Sequence, residues 1–209
     1  PSLAAPDPLS GPEAGGTLIT ILGSELANGS HYVCLCEHVY VPASFHAPTS
    51  AVRCPTPPSA RTCDPYGRCL ARVGNTICRV SLNGQQYTER GVDFLYHHAP
   101  VASAVSPACG PVHGGTIVSV LGAGFANGTA YRCAFGSVGS DVRVPATSSF
   151  DGGVEALVCV LPNGWAAAAD SAPRTVPLRV ALNAQQYSAE VLSFTLFPPP
   201  SLAAIAPPR

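Results

Sequence analysis

A twenty-residue block that occurs twice constrains this chain more than any other feature. The first copy, GGTLITILGSELANGSHYVC, runs from Gly15 to Cys34, and the second, GGTIVSVLGAGFANGTAYRC, from Gly114 to Cys133, at a constant offset of 99 residues. Self-similarity at a fixed period means that the fold is built from copies of one unit. A period of about 100 residues is a common domain size. Three stretches read as starts of that unit: PSLAAPDPLS from Pro1, PVASAVS from Pro100 and PSLAAIAPP from Pro200. The expected organisation is one domain over 1–99, a second over 100–199 and the opening of a third over 200–209. The chain then reads as a piece of a longer array.

Inside the block, Leu18–Leu22 and Ile117–Leu121 read as strands, because β-branched residues dominate them and glycine follows at once. Ile19 and Ile21 would share a buried face, as would Val118 and Val120, with Thr20 and Ser119 toward water. Tyr32–Cys34, Tyr131–Cys133, Val52–Pro55 and Leu157–Val160 read as further inner strands. The second half repeats as well, TICRVSLNGQQY from Thr76 and TVPLRVALNAQQY from Thr175. Val80 and Leu82 alternate with Arg79 and Ser81, the period of a half-buried strand. Asn83-Gly84 signals a tight hairpin, and Val92–Tyr96 and Val191–Phe197 close each unit. About seven short strands per unit, separated by turn signals, argue an all-β chain of two sandwiches.

Composition agrees and excludes several classes. The chain has 20 glycines and 22 prolines, which break helices. All 11 basic residues are Arg and they are scattered, so a phosphate-tracking surface and a nucleic-acid partner are not expected. No apolar run approaches the ~20 residues of a membrane span, so no direct membrane insertion is expected of this fragment. The first residues lack a signal-peptide pattern. Nine cysteines point to an oxidising, secreted setting, and the odd number leaves at least one without an internal partner.

The ordered motifs resemble those of IPT/TIG domains, the immunoglobulin-like domains of plexins, Met-type receptors, fibrocystin-like surface proteins and Rel-type transcription factors. The first unit carries Gly11-Pro12, Gly15-Gly16-Thr17, Cys34, Cys54-Pro55, Asn83-Gly84 and Phe94-Leu95-Tyr96. The second carries Gly110-Pro111, Gly114-Gly115-Thr116, Cys133-Ala134-Phe135-Gly136, Cys159, Asn183 and Phe194. It departs from the first at Ala184, where Gly84 stands, and at Leu196, where the closing Tyr would stand; the first unit has Cys36 where the second has Phe135. The resemblance implies two tandem immunoglobulin-like sandwiches joined by a short proline-containing linker. It does not by itself name an activity, because the fold hosts many unrelated functions.

Two N-x-Ser/Thr sequons occur, Asn28-Gly29-Ser30 and Asn127-Gly128-Thr129, at the same repeat position. N-linked glycans are expected at Asn28 and Asn127, although Asn-Gly is also simply a good turn. Cys34–Cys54 and Cys133–Cys159 read as one duplicated disulfide, each contributing on the order of 3 kcal/mol. Cys63 and Cys69 flank Asp64-Pro65-Tyr66-Gly67-Arg68 and are expected to bridge that turn. Cys36 and Cys78 lie on inward faces and are expected to pair. Cys109 is then left over, either as a free thiol or for a bond to another chain. A zinc site from Cys34, Cys36, His38, His46 and Cys54 is the sharper alternative, but its spacing fits no familiar finger and the second unit lacks it. Asp151-Gly152-Gly153-Val154-Glu155 reads as a turn before it reads as a Ca²⁺ ligand. His97-His98 reads as an exposed domain end. Trp165 is a candidate ligand contact, or a ring packed down on the sandwich. No metal or cofactor is expected beyond glycans.

No catalytic motif is present: no G-x-S-x-G, no H-E-x-x-H and no P-loop. The expected function is therefore a non-catalytic extracellular or cell-surface structural or adhesion module. It would be part of a glycosylated rod, a surface coat, a flagellar-hair-like filament or a cell-contact receptor. Its partners would be other copies, neighbouring domains of the same array or another cell-surface protein. The alternative is a carbohydrate- or ligand-binding appendage of a secreted enzyme, which would need Trp165 and tyrosines in an exposed strip. A Rel-like DNA-binding role is opposed by charge and cysteine content.

Overall fold

The computed structural model describes residues 2–63, 69–151, 153–163 and 173–198. Unit 1 holds β1 (Ser10–Pro12), β2 (Leu18–Leu22), β3 (Val33–Cys36), β4 (Val39–Pro42), β5 (Ser44–His46), β6 (Ala51–Pro55), β7 (Arg61–Cys63), β8 (Cys69–Ala71), β9 (Gly74–Ser81) and β10 (Val92–His97). A single 3₁₀ turn, Ala47–Thr49, follows β5. Unit 2 holds β11 (Val101–Ser106), β12 (Cys109–Pro111), β13 (Ile117–Ala123), β14 (Arg132–Phe135), β15 (Val142–Asp151), β16 (Val154–Val160), β17 (Arg174–Ala181) and β18 (Leu192–Phe197).

Each unit is two facing sheets. In unit 1 one sheet runs β1-β10-β9-β3-β4 and the other β2-β6-β5, with β7-β8 as a separate hairpin. In unit 2 the same two layers are joined by β15, whose first half pairs with β14 and whose second half pairs with β16. The break between β4 and β5 in unit 1 is the counterpart of that crossing, and Pro42 and Pro145 stand at the two crossings. A proline lacks the N–H of a ladder bond, so it suits the point where a strand changes sheet. The opening segment changes sheets too. Cis peptides at Asp7-Pro8 and Ser106-Pro107 precede β1 and β12, which run parallel to β10 and β18.

The alternation read from the block is present in the fold. Ile19 and Ile21, like Val118 and Val120, are fully buried, whereas Leu18 and Leu22 are exposed. Core rings Phe94 in unit 1 and Phe135 and Phe194 in unit 2 fill the space between the layers. Gly15 and Gly16 adopt φ of +76° and +80°, and a Cβ on Gly15 would meet the Pro57 backbone at 2.5 Å, so this tight entry into β2 needs glycine.

Candidate functional site: two turns and the contact between the units

Two turns lie side by side at one end of each unit. The first displays the sequon asparagine. Asn28 and Asn127 have φ of +64° and +66°, the left-handed conformation that Asn tolerates. The tyrosine of the block holds this turn. Gly29 N donates to Tyr32 Oη at 2.7 Å, and Tyr32 Oη donates to Leu26 O at 3.0 Å. Gly128 N likewise donates to Tyr131 Oη at 3.0 Å. Both asparagine side chains face solvent.

The second turn follows β9 and β17. Asn83 Oδ1 accepts the N–H groups of Gln85 and Gln86, both at 3.0 Å, and Asn183 Oδ1 accepts those of Gln185 and Gln186 at 3.1 and 3.0 Å. Each asparagine Nδ2 also donates to the second glutamine's Oε1. The expected two-residue hairpin at Asn83-Gly84 is therefore not what forms. The asparagine side chain organises a longer connection from Ser81 to Val92, as an Asx turn does. Ser81 is buried rather than solvent-facing, because its hydroxyl accepts Gly84 N at 2.8 Å. Backbone bonds His31 N to Leu82 O and Ala130 N to Leu182 O, both 2.9 Å, fix the two turns against each other.

This end of unit 2 is seated on the edge of unit 1. Gln185 clamps the backbone of Leu18: its Oε1 accepts Leu18 N and its Nε2 donates to Leu18 O, both at 2.9 Å. Thr17 Oγ1 donates to Gln186 Oε1 at 3.1 Å and accepts from Asn183 Nδ2 at 3.3 Å. The Ser10 and Thr129 hydroxyls share a hydrogen bond at 2.9 Å. Ser10 and Thr17 are fully buried and Asn183 is 2 % exposed. Every side chain in this set is uncharged, so the contact is insensitive to salt screening. Sequence reasoning missed these residues as a site. Asn-x-Gln-Gln and Gly-Gly-Thr recur at fixed positions, but in sequence each reads as turn chemistry within its own unit, which is why the contact did not show.

Beside the linker, the histidine pair divides. His98 is exposed and brings its Nδ1 2.7 Å from Glu13 Oε2. His97, expected to be exposed, is 4 % exposed, with Nδ1 2.8 Å from His98 O. Burial, more than any other cause, holds its pKa below the ordinary histidine value. The reason is β10, which runs through His97 and pairs with β1, so the chain leaves the sheet one residue later than expected.

Disulfides join Cys34 to Cys54 and Cys133 to Cys159 across the two layers of each unit, and Cys36 to Cys78 between the adjacent strands β3 and β9. The thiols of Cys34, Cys36 and Cys54 are thus consumed and cannot serve as thiolate ligands to zinc. Cys109 is a free, exposed thiol on β12. The backbones of Cys63 and Cys69 face each other in the β7–β8 hairpin; their side chains, residues 64–68, Trp165 and residues 199–209 lie outside the described residues. Glu155, weighed for Ca²⁺, instead accepts Phe125 N at 2.6 Å, and Gly152 lies outside the described residues.

The profile of the IPT/TIG domain matches residues 1–96 and 100–195. Among solved structures, the chain is similar to the full extracellular region of plexin A4, with 20% identity and a TM-score of 0.62 over 97% of this chain and 16% of that one. It is also similar to the TIG domain of human nuclear factor of activated T-cells, cytoplasmic 4, with 23% identity and a TM-score of 0.35 over 48% of this chain and 89% of that one. The chain therefore spans about a sixth of the plexin region it matches.

Proposed function

The chain belongs to the IPT/TIG family, two units in tandem, and from that premise we propose that it is a non-catalytic structural or adhesion module of an extracellular or cell-surface protein. The observation that carries the reading is the contact between the units. Two sandwiches held by side-chain clamps on backbone, with both sequon asparagines facing water, suit a stiff glycosylated spacer better than a module with a cleft. Three disulfides among the described residues support an oxidising compartment. Glycans at Asn28 and Asn127 would coat one end of each unit. Its partners would be neighbouring units of the same kind or another surface protein.

Expression through a secretory pathway, with intact mass measured before and after enzymatic removal of N-glycans, tests this reading. Two glycans, on Asn28 and Asn127, together with mapped Cys34–Cys54 and Cys133–Cys159 bonds, are the expected result. Bare asparagines and reduced cysteines in the secreted chain would overturn it.

A further inference from the structure

Both halves of the contact are present on both units. Unit 1 contributes a ledge made of Ser10, Thr17 and Leu18, and unit 2 contributes a cap made of Thr129, Asn183, Gln185 and Gln186. The repeat places the ledge again on unit 2 as Cys109, Thr116 and Ile117, and the cap again on unit 1 as Ser30, Asn83, Gln85 and Gln86. Their frames are the same: β12 lies on β18 as β1 lies on β10, and the Asn83 turn carries the bonds of the Asn183 turn.

What differs is occupancy. Ser10 and Thr17 are buried, while Cys109 is exposed and Thr116 half-buried; Ile117 is 65% exposed against 46% for Leu18. Asn183 is buried and Gln186 half-buried, while Asn83 and Gln86 are exposed. Around the free cap, a concavity of about 330 Å³ lined by Ser30, Asn83 and Gln86 lies open. Beside the free ledge, an apolar groove of about 570 Å³ runs between Ile117, Val144 and Val160. Among the described residues, these surfaces are covered where the other unit lies on them and uncovered where it does not.

A contact between two different faces, each also uncovered once among the described residues, is heterologous: it extends into a filament, or closes only as a ring of several copies. We propose that the free ledge of unit 2 (Cys109, Thr116 and Ile117) docks the free cap of unit 1 (Ser30, Asn83, Gln85 and Gln86) of a second copy of this chain. The array is then extended head to tail by the contact that already joins its two units. This deepens the reading above by naming the partner surface. The contact is small and polar, so untethered copies associate weakly, and tethering in a longer array supplies the effective concentration that holds it. The occupant is argued from continuity: the complement of the ledge is known, because unit 2 already fills it on unit 1.

The replacement of Ser10 by Cys109 makes the test direct. Ser10 faces Thr129, so Cys109 faces Ser30 of the docking copy. In the full chain carrying S30C, one oxidised glutathione exchanges with two thiols, the one introduced by S30C and that of Cys109 on another copy. A disulfide forms between the copies and two reduced glutathiones are released. The expected result is a ladder beyond the dimer on non-reducing gels. The cross-linked peptide joining the S30C thiol to Cys109 should form about tenfold or more faster than the equivalent peptide from S44C, whose serine is exposed elsewhere on unit 1. Adding N83A should slow the S30C cross-link to Cys109 and leave the S44C product unchanged. Equal rates for S30C and S44C, or only symmetric Cys109–Cys109 dimers, would overturn the proposal while leaving the glycan and disulfide test untouched. Should S30C fold poorly, the wild-type chain decides by NMR. Shifts at Asn83, Gln86 and Thr116 that move together with rising concentration support the contact, and none moving rejects it.

Discussion

Tyr96 donates its phenolic hydroxyl to the carbonyl of Pro57 at 2.6 Å, from a ring that is 3 % exposed. The ring packs edge-on against Phe94 at 5.2 Å between centroids. Burial pushes the phenol pKa up to about 12, so it remains a donor across any working pH. The bond pins the Pro57–Pro58 segment against Gly15, at the entry to β2. Tyr96→Phe keeps the ring and strands a buried carbonyl, at a cost of about 1–3 kcal/mol. Urea unfolding followed by fluorescence should show that loss, whereas Tyr32→Phe, in a half-exposed turn, should cost less.

Ala184 occupies φ +61° where the first unit has Gly84 at +76°. An L-residue with a Cβ is strained there by roughly 1–2 kcal/mol, partly offset by the entropy that glycine adds to the unfolded chain. Ala184→Gly is expected to raise the stability of unit 2 by up to about 1 kcal/mol. Gly84→Ala should do the reverse and more, because its Cβ would lie 2.5 Å from the His31 ring. Calorimetric melts of the two variants check both signs.

His97 gives the chain a built-in acid sensitivity. Nδ1 bonds the His98 carbonyl and so carries the proton of the neutral ring, while buried Nε2 has no partner among the described residues. Burial lowers the pKa first, opposed by the His98 carbonyl and Glu13, with the His98 ring adding to the lowering. The unfolded histidine titrates near 6.5 and the folded one below it. Above the unfolded value both states are neutral and the contribution is intact. As pH falls toward the folded value the unfolded state binds more protons, and stability drops. The melting temperature is expected to fall from pH 7.5 to 5, and His97→Phe should flatten that slope. A slope unchanged by the substitution would assign the sensitivity elsewhere.

The fold was legible because its signals are local and doubled. LITIL and IVSVL carry their own period, and the offset of 99 residues confers on each unit what the other shows. The contact was not legible, because it depends on which edge of one unit meets which end of the next. Gln185 is a surface glutamine on any pattern; only the packing of the units brings it to Leu18. His97 was misread for a related reason. Its burial comes from β1 pairing parallel with β10, a partner distant in sequence that no local pattern announces. Asn83-Gly84 misled because the asparagine side chain, rather than the glycine backbone, sets that turn.

Gln185 and Gln85 occupy the same position of the repeat and differ in what they touch. Gln185 makes two hydrogen bonds to Leu18 across the contact, and both Gln185 and Gln85 have exposed side chains. Gln185→Ala therefore deletes both bonds without touching either core. At about 0.5–1.5 kcal/mol for a typical bond, less where solvent competes, the loss is about 1–2 kcal/mol of coupling between the units. The melting of each unit should stay where it is. What should change is their relative order: residual dipolar couplings that fit one alignment tensor in the wild type should need two in Gln185→Ala, and small-angle scattering should show a broader distribution of lengths. Gln85→Ala is the matched control and should leave both measurements as they are. If Gln185→Ala also leaves them unchanged, the clamp on Leu18 does not hold the units in register, and the bonds of Thr17 to Asn183 and Gln186 and of Ser10 to Thr129 carry the coupling among the described residues.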